Sequence, residues 1–174
     1  MKVLALDIAT NTGVCVGQSG ADPRAWSVNL GKAPDAQRFS QALRLTASLL
    51  ETHKPDLVAV EAAIGGPKAS QYLIGLVACV TGVCWDRRVR CEPVHLGSVR
   101  KHFLGKSLTT RHFPHLKPAA AKKAIKAEVM KRCELLGWPV ETDDEADACA
   151  IWDYACATCV SGYRARPVGG LFNA

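Results

Sequence analysis

The order of apolar patterns along the chain predicts an α/β fold in which a mixed five-stranded sheet is flanked by helices. Near the start, three short strand-like segments are separated by turn-forming residues, which is typical of an antiparallel three-stranded meander. After them, helical patterns alternate with two further apolar runs, as in parallel strands joined by helices. We find neither a repeat nor a linker in the 174 residues, so we expect a single domain over residues 1–174.

The first half of the chain supplies four strands and one helix. Val3–Ile8 is an apolar run typical of a buried strand, and the turn Thr10–Gly13 leads into a second strand at hairpin distance. The pattern predicts a helix over Asp35–His53, with Asp35 as its N-cap. The other strands of this half are predicted at Val14–Gly17, Trp26–Leu30 and Leu57–Glu61.

The second half alternates helices with one strand. A basic segment without periodicity, Gly105–Pro118, is predicted to be a loop. Helices are predicted at about Ala69–Cys84, Ser98–Leu104, Ala119–Leu136 and Asp144–Val160, and a strand at about Val89–His95. The run Leu57–Glu61 is apolar enough to be a central parallel strand.

Positive charge is concentrated in one part of the chain. Residues 87–132 contain 13 Lys or Arg and two acids, whereas the remainder contains 9 basic and 14 acidic residues. A segregated basic block attracts polyanions through counterion release, which favours nucleic acid as the partner. A solvated basic face without a ligand is the alternative. Candidate DNA contacts in this block are Arg100, Lys101, Arg111, Lys117, Lys122 and Lys123.

The composition indicates a cytoplasmic protein without a membrane span. The longest apolar stretch, Tyr72–Trp85, is shorter than the roughly 20 residues that cross a bilayer. Asp7 interrupts the first apolar run where a signal peptide would continue. The 8 cysteines are scattered through apolar runs, so we interpret them as reduced, buried thiols.

Four carboxylates occupy positions that a packed domain normally avoids. Asp7 and Glu61 each end an apolar strand, and burial of an isolated carboxylate is costly without a cation or strong donors. Asp144 and Asp147 open the last helix and lie within about 60° of each other on its predicted buried side. Helix capping explains Glu145, which points away from this side, and Asp143, which lies at an intermediate angle, but it explains Asp147 poorly.

These four acids could converge into one oxygen-rich site. Hard oxygen ligands suit Mg²⁺ or Mn²⁺ and not zinc. Two such ions can activate a water and stabilise the leaving oxygen in phosphodiester hydrolysis. On the same last helix, Asp153 lies on roughly the opposite side, so we expect it to face solvent.

Three segments resemble the RuvC-type Holliday junction resolvases of the RNase H-like superfamily, in particular phage and prophage variants. They are Leu4–Gly13, Val58–Glu61 and Asp144–Ala150, in the order and spacing of that family. The resemblance implies an RNase H-like fold and a metal-dependent endonuclease that resolves branched DNA as a homodimer. It assigns the metal ligands to Asp7, Glu61, Asp144 and Asp147.

The resemblance also implies a basic residue that assists at the scissile phosphate, at Lys126, with Lys122 one turn earlier as the rival. Cellular members carry an aromatic wedge three residues after the strand-four acid. Here that position is Ile64, so an apolar wedge replaces the aromatic one.

Three other functions remain as alternatives. The segment Asp7–Gly13 also resembles the first phosphate-binding segment of actin-like ATPases. Such proteins need a second glycine-rich phosphate loop, which we do not find in this sequence. A non-catalytic junction-binding protein would not need all four acids. A nuclease of the same fold that acts on RNA–DNA hybrids or other structured nucleic acid would carry the same residues.

Overall fold

The computed structural model describes residues 1–66 and 69–166. It contains five strands, β1 (Lys2–Asp7), β2 (Asn11–Gln18), β3 (Arg24–Asn29), β4 (Leu57–Glu61) and β5 (Arg90–Val94). Its five α-helices are α1 (Asp35–His53), α2 (Gln71–Asp86), α3 (Leu96–Leu104), α4 (Pro118–Leu135) and α5 (Asp143–Cys159). This order of elements confirms the predicted α/β class.

The five strands form one mixed sheet in the order β3-β2-β1-β4-β5. β1, β2 and β3 pair antiparallel, as a meander requires, whereas β4 pairs parallel with both β1 and β5. Leu6 of β1 is level with Val60 of β4, so the residues that follow them, Asp7 and Glu61, reach the same edge of the sheet. The topology therefore brings two acids that are far apart in the chain to one place.

Helices cover both faces of the sheet. α1 and α2 pack on the face that carries Leu4, Leu6 and Val60, because alternate residues of a strand point to opposite faces. α5 lies on the other face against β1 and β2, and α3 and α4 pack around it. α5 is consequently the central helix of its layer, and its residues from Glu145 to Asp153 are all buried.

The ends of several elements differ from the sequence-based expectation. The N-cap of α1 is Pro34, and Asp35 is the first helical residue, with its carboxylate 2.6 Å from the guanidinium of Arg38. β2 begins at Asn11, because the hairpin pairs Asp7 with Gly13. The basic loop contains one short 3-10 turn at Thr110–His112.

Asp153 does not face solvent, so that prediction is wrong. Its carboxylate is buried, lies 2.9 Å from His102 Nε2 and accepts a 2.5 Å hydrogen bond from the Tyr163 hydroxyl. The expectation failed because α5 is surrounded on all sides, so angular position alone does not identify an exposed face.

Two predictions about burial and membranes can also be checked. Cys15, Cys84, Cys133, Cys149 and Cys156 are buried among apolar residues, as small hydrophobic side chains would be, whereas Cys79, Cys91 and Cys159 are half-buried. Among the described residues, no helix combines the length and apolar character that a bilayer crossing requires. The last residues of the chain, 167–174, lie outside the described residues.

Candidate active site

Asp7 and Glu61 form a carboxylate pair at the ends of neighbouring parallel strands. Asp7 is only 8% exposed and lies within hydrogen-bonding reach of Glu61. Burial raises the pKa of Asp7 well above its usual value, and the hydrogen bond with Glu61 and the charges of Glu61, Asp147 and Asp144 raise it further. A cation or a shared proton between the two carboxyl groups would therefore stabilise this pair, because it removes the repulsion between them.

The start of α5 lies directly against the end of the sheet that carries Asp7. Asp7 is paired with Gly13 in the β1–β2 register, and the carbonyl of Asp144 packs onto Gly13 so closely that a Cβ there would lie 2.0 Å from the carbonyl oxygen. The side chain of Thr142 caps the helix by accepting a hydrogen bond from the backbone N–H of Glu145 at 3.2 Å. The absence of a side chain at Gly13 thus allows the helical acids to approach the strand acids.

Asp147 is buried one turn into α5 and is paired with Arg100 of α3. Arg100 Nε donates to Asp147 Oδ1 at 3.3 Å, and Nη2 donates to Oδ2 at 2.8 Å. Arg100 is thus oriented toward the acids, whereas the sequence suggested it only as a DNA contact. Asp147 is held in place before any ligand is bound.

Lys126 of α4 approaches the acids from the other side. Its Nζ lies 2.6 Å from Asp143 Oδ2 and 3.8 Å from Asp144 Oδ1. Partial burial opposes the charge on Lys126, but the hydrogen bond to Asp143 and the surrounding acids raise its pKa above the usual value. The same hydrogen bond lowers the pKa of Asp143, whereas burial and the charge of Asp143 raise that of Asp144.

The composition of this site fits a hard divalent cation. Its potential ligands are carboxylate oxygens, and the two cationic side chains leave an excess of negative charge on the acids. As they stand, no three His, Cys, Asp or Glu side chains in residues 1–66 and 69–166 are grouped closely enough to hold one ion. The strand carboxylates, Asp7 and Glu61, lie next to the carboxylates of α5. Those of α5 are paired with basic residues, Asp147 with Arg100 and Asp143 and Asp144 with Lys126.

Sequence reasoning found the acids but missed two partners. Helix capping does not explain Asp143, because Thr142 is the cap and Asp143 pairs with Lys126. The pairing of Arg100 with Asp147 joins residues 47 positions apart. A weak signal for Asp143 did exist, since it was intermediate between the buried and exposed sides of α5.

The other candidate DNA contacts lie on the surface. Lys101, Arg111, Lys117, Lys122 and Lys123 are exposed. Lys122 lies one turn before Lys126 on α4, on the same side of the helix. Ile64 is exposed after β4 and lines, together with Asp7 and Glu61, a cleft of about 90 Å³. The apolar residue proposed as a wedge is therefore next to the carboxylate pair.

Comparisons with known proteins identify the fold. No protein-family model matches the chain, and no curated protein matches it. Among solved structures, the chain is similar to RuvC of Thermus thermophilus, with a TM-score of 0.63 and 19% identity over 87% of this chain and 91% of that one. The same RuvC in complex with a Holliday junction substrate gives a TM-score of 0.61 and 18% identity, with coverages of 87% and 90%.

A third similar structure is the yeast mitochondrial Holliday junction resolvase Ydc2. Its TM-score is 0.52 and its identity 13%, over 86% of this chain and 75% of that one. At these low sequence identities, the similarity shows a shared fold only. The chain has the RNase H-like fold of the RuvC-type resolvases, as the motifs predicted.

Proposed function

We propose that the protein is a divalent-metal-dependent endonuclease that cuts branched DNA, with resolution of Holliday junctions by paired nicks as its main reaction. The observation that carries this proposal is the pair formed by the buried Asp7 and the half-buried Glu61, with Asp144 and Asp147 beside it. The similarity in fold to two junction resolvases supports the choice of substrate. Fold alone does not define a function, so the proposal depends on the site.

The four acids Asp7, Glu61, Asp144 and Asp147 would hold two ions of Mg²⁺ or Mn²⁺. When bound, such ions supply an activated water and neutralise charge on the leaving oxygen. The contribution of the chain is to fix the acids: the sheet register aligns Asp7 with Glu61, and Gly13 allows Asp144 to approach them. Rigid placement of charged groups is a large part of phosphodiester catalysis.

Lys126 is the better candidate for the basic residue at the scissile phosphate. It reaches Asp143 and Asp144, whereas its rival Lys122 is exposed one turn away. We infer that Asp143 is a positioning residue that keeps the ammonium group of Lys126 at the acids. We expect the exposed Lys122 to contact the DNA backbone instead.

The surface around the acids suits a branched polyanion. The exposed cations of the basic block would bind phosphates on either side of the cut. Ile64, beside the carboxylate pair, could separate stacked bases at the branch point. A DNA substrate and a reducing environment for the thiols are both consistent with a cytoplasmic location.

We further propose that the protein is a homodimer, since two symmetric nicks need two sites. The outer side of α2 supports this, because Ile74 is 45% exposed and Trp85 is 87% exposed. Ala78 and Gly82 are exposed between them at helical spacing. An apolar stripe on a helix that already packs on the sheet is typical of an interface between proteins.

One observation favours a second candidate, a junction-binding protein that does not cut. Arg100 and Lys126 already pair with the helix acids, as they would if these carboxylates served only to hold basic residues in place. In this case the protein would bind branched DNA equally well with or without divalent ions.

A cleavage panel separates these functions. Four-way, three-way, flap, hybrid and linear substrates are incubated with the protein in Mg²⁺ and in Mn²⁺. We expect nicking of the four-way junction, its loss in Asp7→Asn and Asp147→Asn with binding retained, and a roughly hundredfold loss in Lys126→Ala but not in Lys122→Ala. Binding should weaken about tenfold or more between roughly 50 and 200 mM salt. Binding without cutting in both metals would instead establish the non-catalytic function.

A further inference from the structure

Arg100 lies inside the acid site and not merely beside it. Its two hydrogen bonds, at 2.8 and 3.3 Å, engage both oxygens of Asp147. Among carboxylate partners, a bidentate guanidinium pair is both strong and directional. While this pair persists, both oxygens of Asp147 face the positive charge of Arg100, so a cation that binds Asp147 is repelled by the guanidinium and has to compete with it.

The positions of the two side chains determine which one can move. Asp147 is 3% exposed on the central helix α5, whereas Arg100 is 19% exposed on α3. α3 is anchored by Val99 and Phe103, which are buried, so the backbone at Arg100 is fixed and its long side chain is the movable part. Arg100 is therefore the member of the pair that reaches solvent, where its guanidinium is accessible to a DNA phosphate.

We propose that Arg100 is a positioning residue that exchanges Asp147 for a DNA phosphate, so that Asp147 becomes available to a divalent cation when DNA is in place. This inference rests on the proposed function and adds an order of binding to it. Without DNA, a carboxylate as buried as Asp147 needs a partner, since an unpaired buried charge is costly. A phosphate offers the guanidinium an equivalent bidentate acceptor.

The exchange has a thermodynamic consequence that can be measured without cleavage. If DNA removes a competitor of the cation, DNA and the cation each increase the affinity for the other, because coupling between two ligands is reciprocal. Deletion of the guanidinium should strengthen cation binding to the free protein and weaken this coupling. If Arg100 instead stayed on Asp147 when DNA binds, its deletion would leave the coupling between DNA and the cation unchanged.

The first test is calorimetric titration of Mn²⁺ into the DNA-free protein. We expect Arg100→Gln to bind Mn²⁺ at least about fivefold more tightly than the wild type, or to bind one additional ion. Lys101→Gln is the matched control, because it removes the same charge from the next residue of α3 but is exposed. Unchanged or weaker binding in Arg100→Gln would overturn the inference and leave the proposed nuclease intact.

A second test uses the wild-type protein and does not depend on the folding of a variant. The Nε–H resonance of Arg100 is followed by NMR while four-way DNA is added without divalent ions. We expect it to shift on addition of DNA, whereas a resonance that stays unchanged at saturation would contradict the exchange. If neither the wild type nor Arg100→Gln binds Mn²⁺, or if Asp7→Asn binds it as the wild type does, the proposed metal site itself fails.

Discussion

Asp7 is a carboxylate whose surroundings favour its neutral form in the absence of cations. Burial, the hydrogen bond with Glu61 and the neighbouring acids all raise its pKa in the folded protein. A group with a raised pKa contributes stability that is fully present below its unfolded pKa and is lost as the pH rises through the folded value. The metal-free protein is therefore destabilised by Asp7 on the alkaline side of this range.

This leads to a prediction for Asp7→Asn. In a chelating buffer at pH 8 the variant should melt at a higher temperature than the wild type, because Asn stays uncharged, whereas Asp7 must either be buried as an ion or take up a proton when the chain folds. The amide can still donate a hydrogen bond to Glu61. About 1 kcal/mol corresponds to roughly 2–4 °C for a domain of this size. The difference should shrink as the pH falls toward the ordinary Asp value of 3.8.

Thermal melts at several pH values check this prediction. Asp86→Asn is the matched control, because Asp86 is exposed at the end of α2, and it should show no such pH-dependent gain. A Tm of Asp7→Asn equal to or below that of the wild type at pH 8 would mean that the ionised carboxylate is stabilised by the fold.

At the residue scale, the acids could be foreseen and their cationic partners could not. Asp7 and Glu61 interrupt or end apolar runs, which a single sequence makes visible. The partner of Asp147 depends on how α3 packs against α5 and on which direction a flexible arginine takes. The sequence places Arg100 and Lys101 next to each other on a short helix, but it does not show which element packs against that helix, so it does not identify the partner of either side chain.

At the scale of elements, the contact between β2 and α5 determines the geometry of the site. Gly13 is level with Asp7, and its missing side chain leaves room for the backbone of Asp144. A methyl group there would lie 2.0 Å from a carbonyl oxygen, which is backbone and cannot rotate away. Any side chain at this position must move the start of α5 away from the sheet.

We therefore predict that Gly13→Ala both destabilises the protein and impairs the site. Overpacking of this kind costs about 1–3 kcal/mol, sometimes more, and the shifted helix would separate Asp144 from Asp7. Chemical denaturation measures the first effect and Mn²⁺ affinity the second. Gly97→Ala is the control, because nothing lies within 4 Å of a Cβ at that helical position. Equal stability of both variants would contradict the close contact.

Helices and strands were predicted well where one face is buried and the other is exposed. The range of α1 agrees with its prediction, apart from the N-cap, which is Pro34 and not Asp35, since its apolar residues recur at helical spacing beside polar ones. α5 was located equally well, but its faces were not, because it is enclosed by the sheet, α3 and α4. In such a helix an acid such as Asp153 can be buried on any side, provided that His102 and Tyr163 supply its partners.

At the scale of the whole molecule, the exposed stripe of α2 provides a test of self-association. We predict that wild-type protein sediments as a dimer and that Ile74→Asp shifts it to a monomer, because a charge in an apolar interface must be desolvated. Leu135→Asp is the control, since Leu135 is similarly exposed at the end of α4. Analytical ultracentrifugation at several concentrations distinguishes the outcomes. A wild-type monomer at tens of micromolar would refute the proposed dimer.

The position of Pro93 in β5 limits how two copies can meet. β5 is an outer strand of the sheet, and the carbonyl of Val94 accepts a hydrogen bond from the Ala62 N–H beside β4. Because neighbouring residues of a strand point their backbone groups in opposite directions, the nitrogen of Pro93 faces the open side and has no hydrogen to donate. A second molecule therefore cannot extend the sheet across β5 without leaving one of its own acceptors unsatisfied, which disfavours continuous β-structure between copies on this side of the sheet.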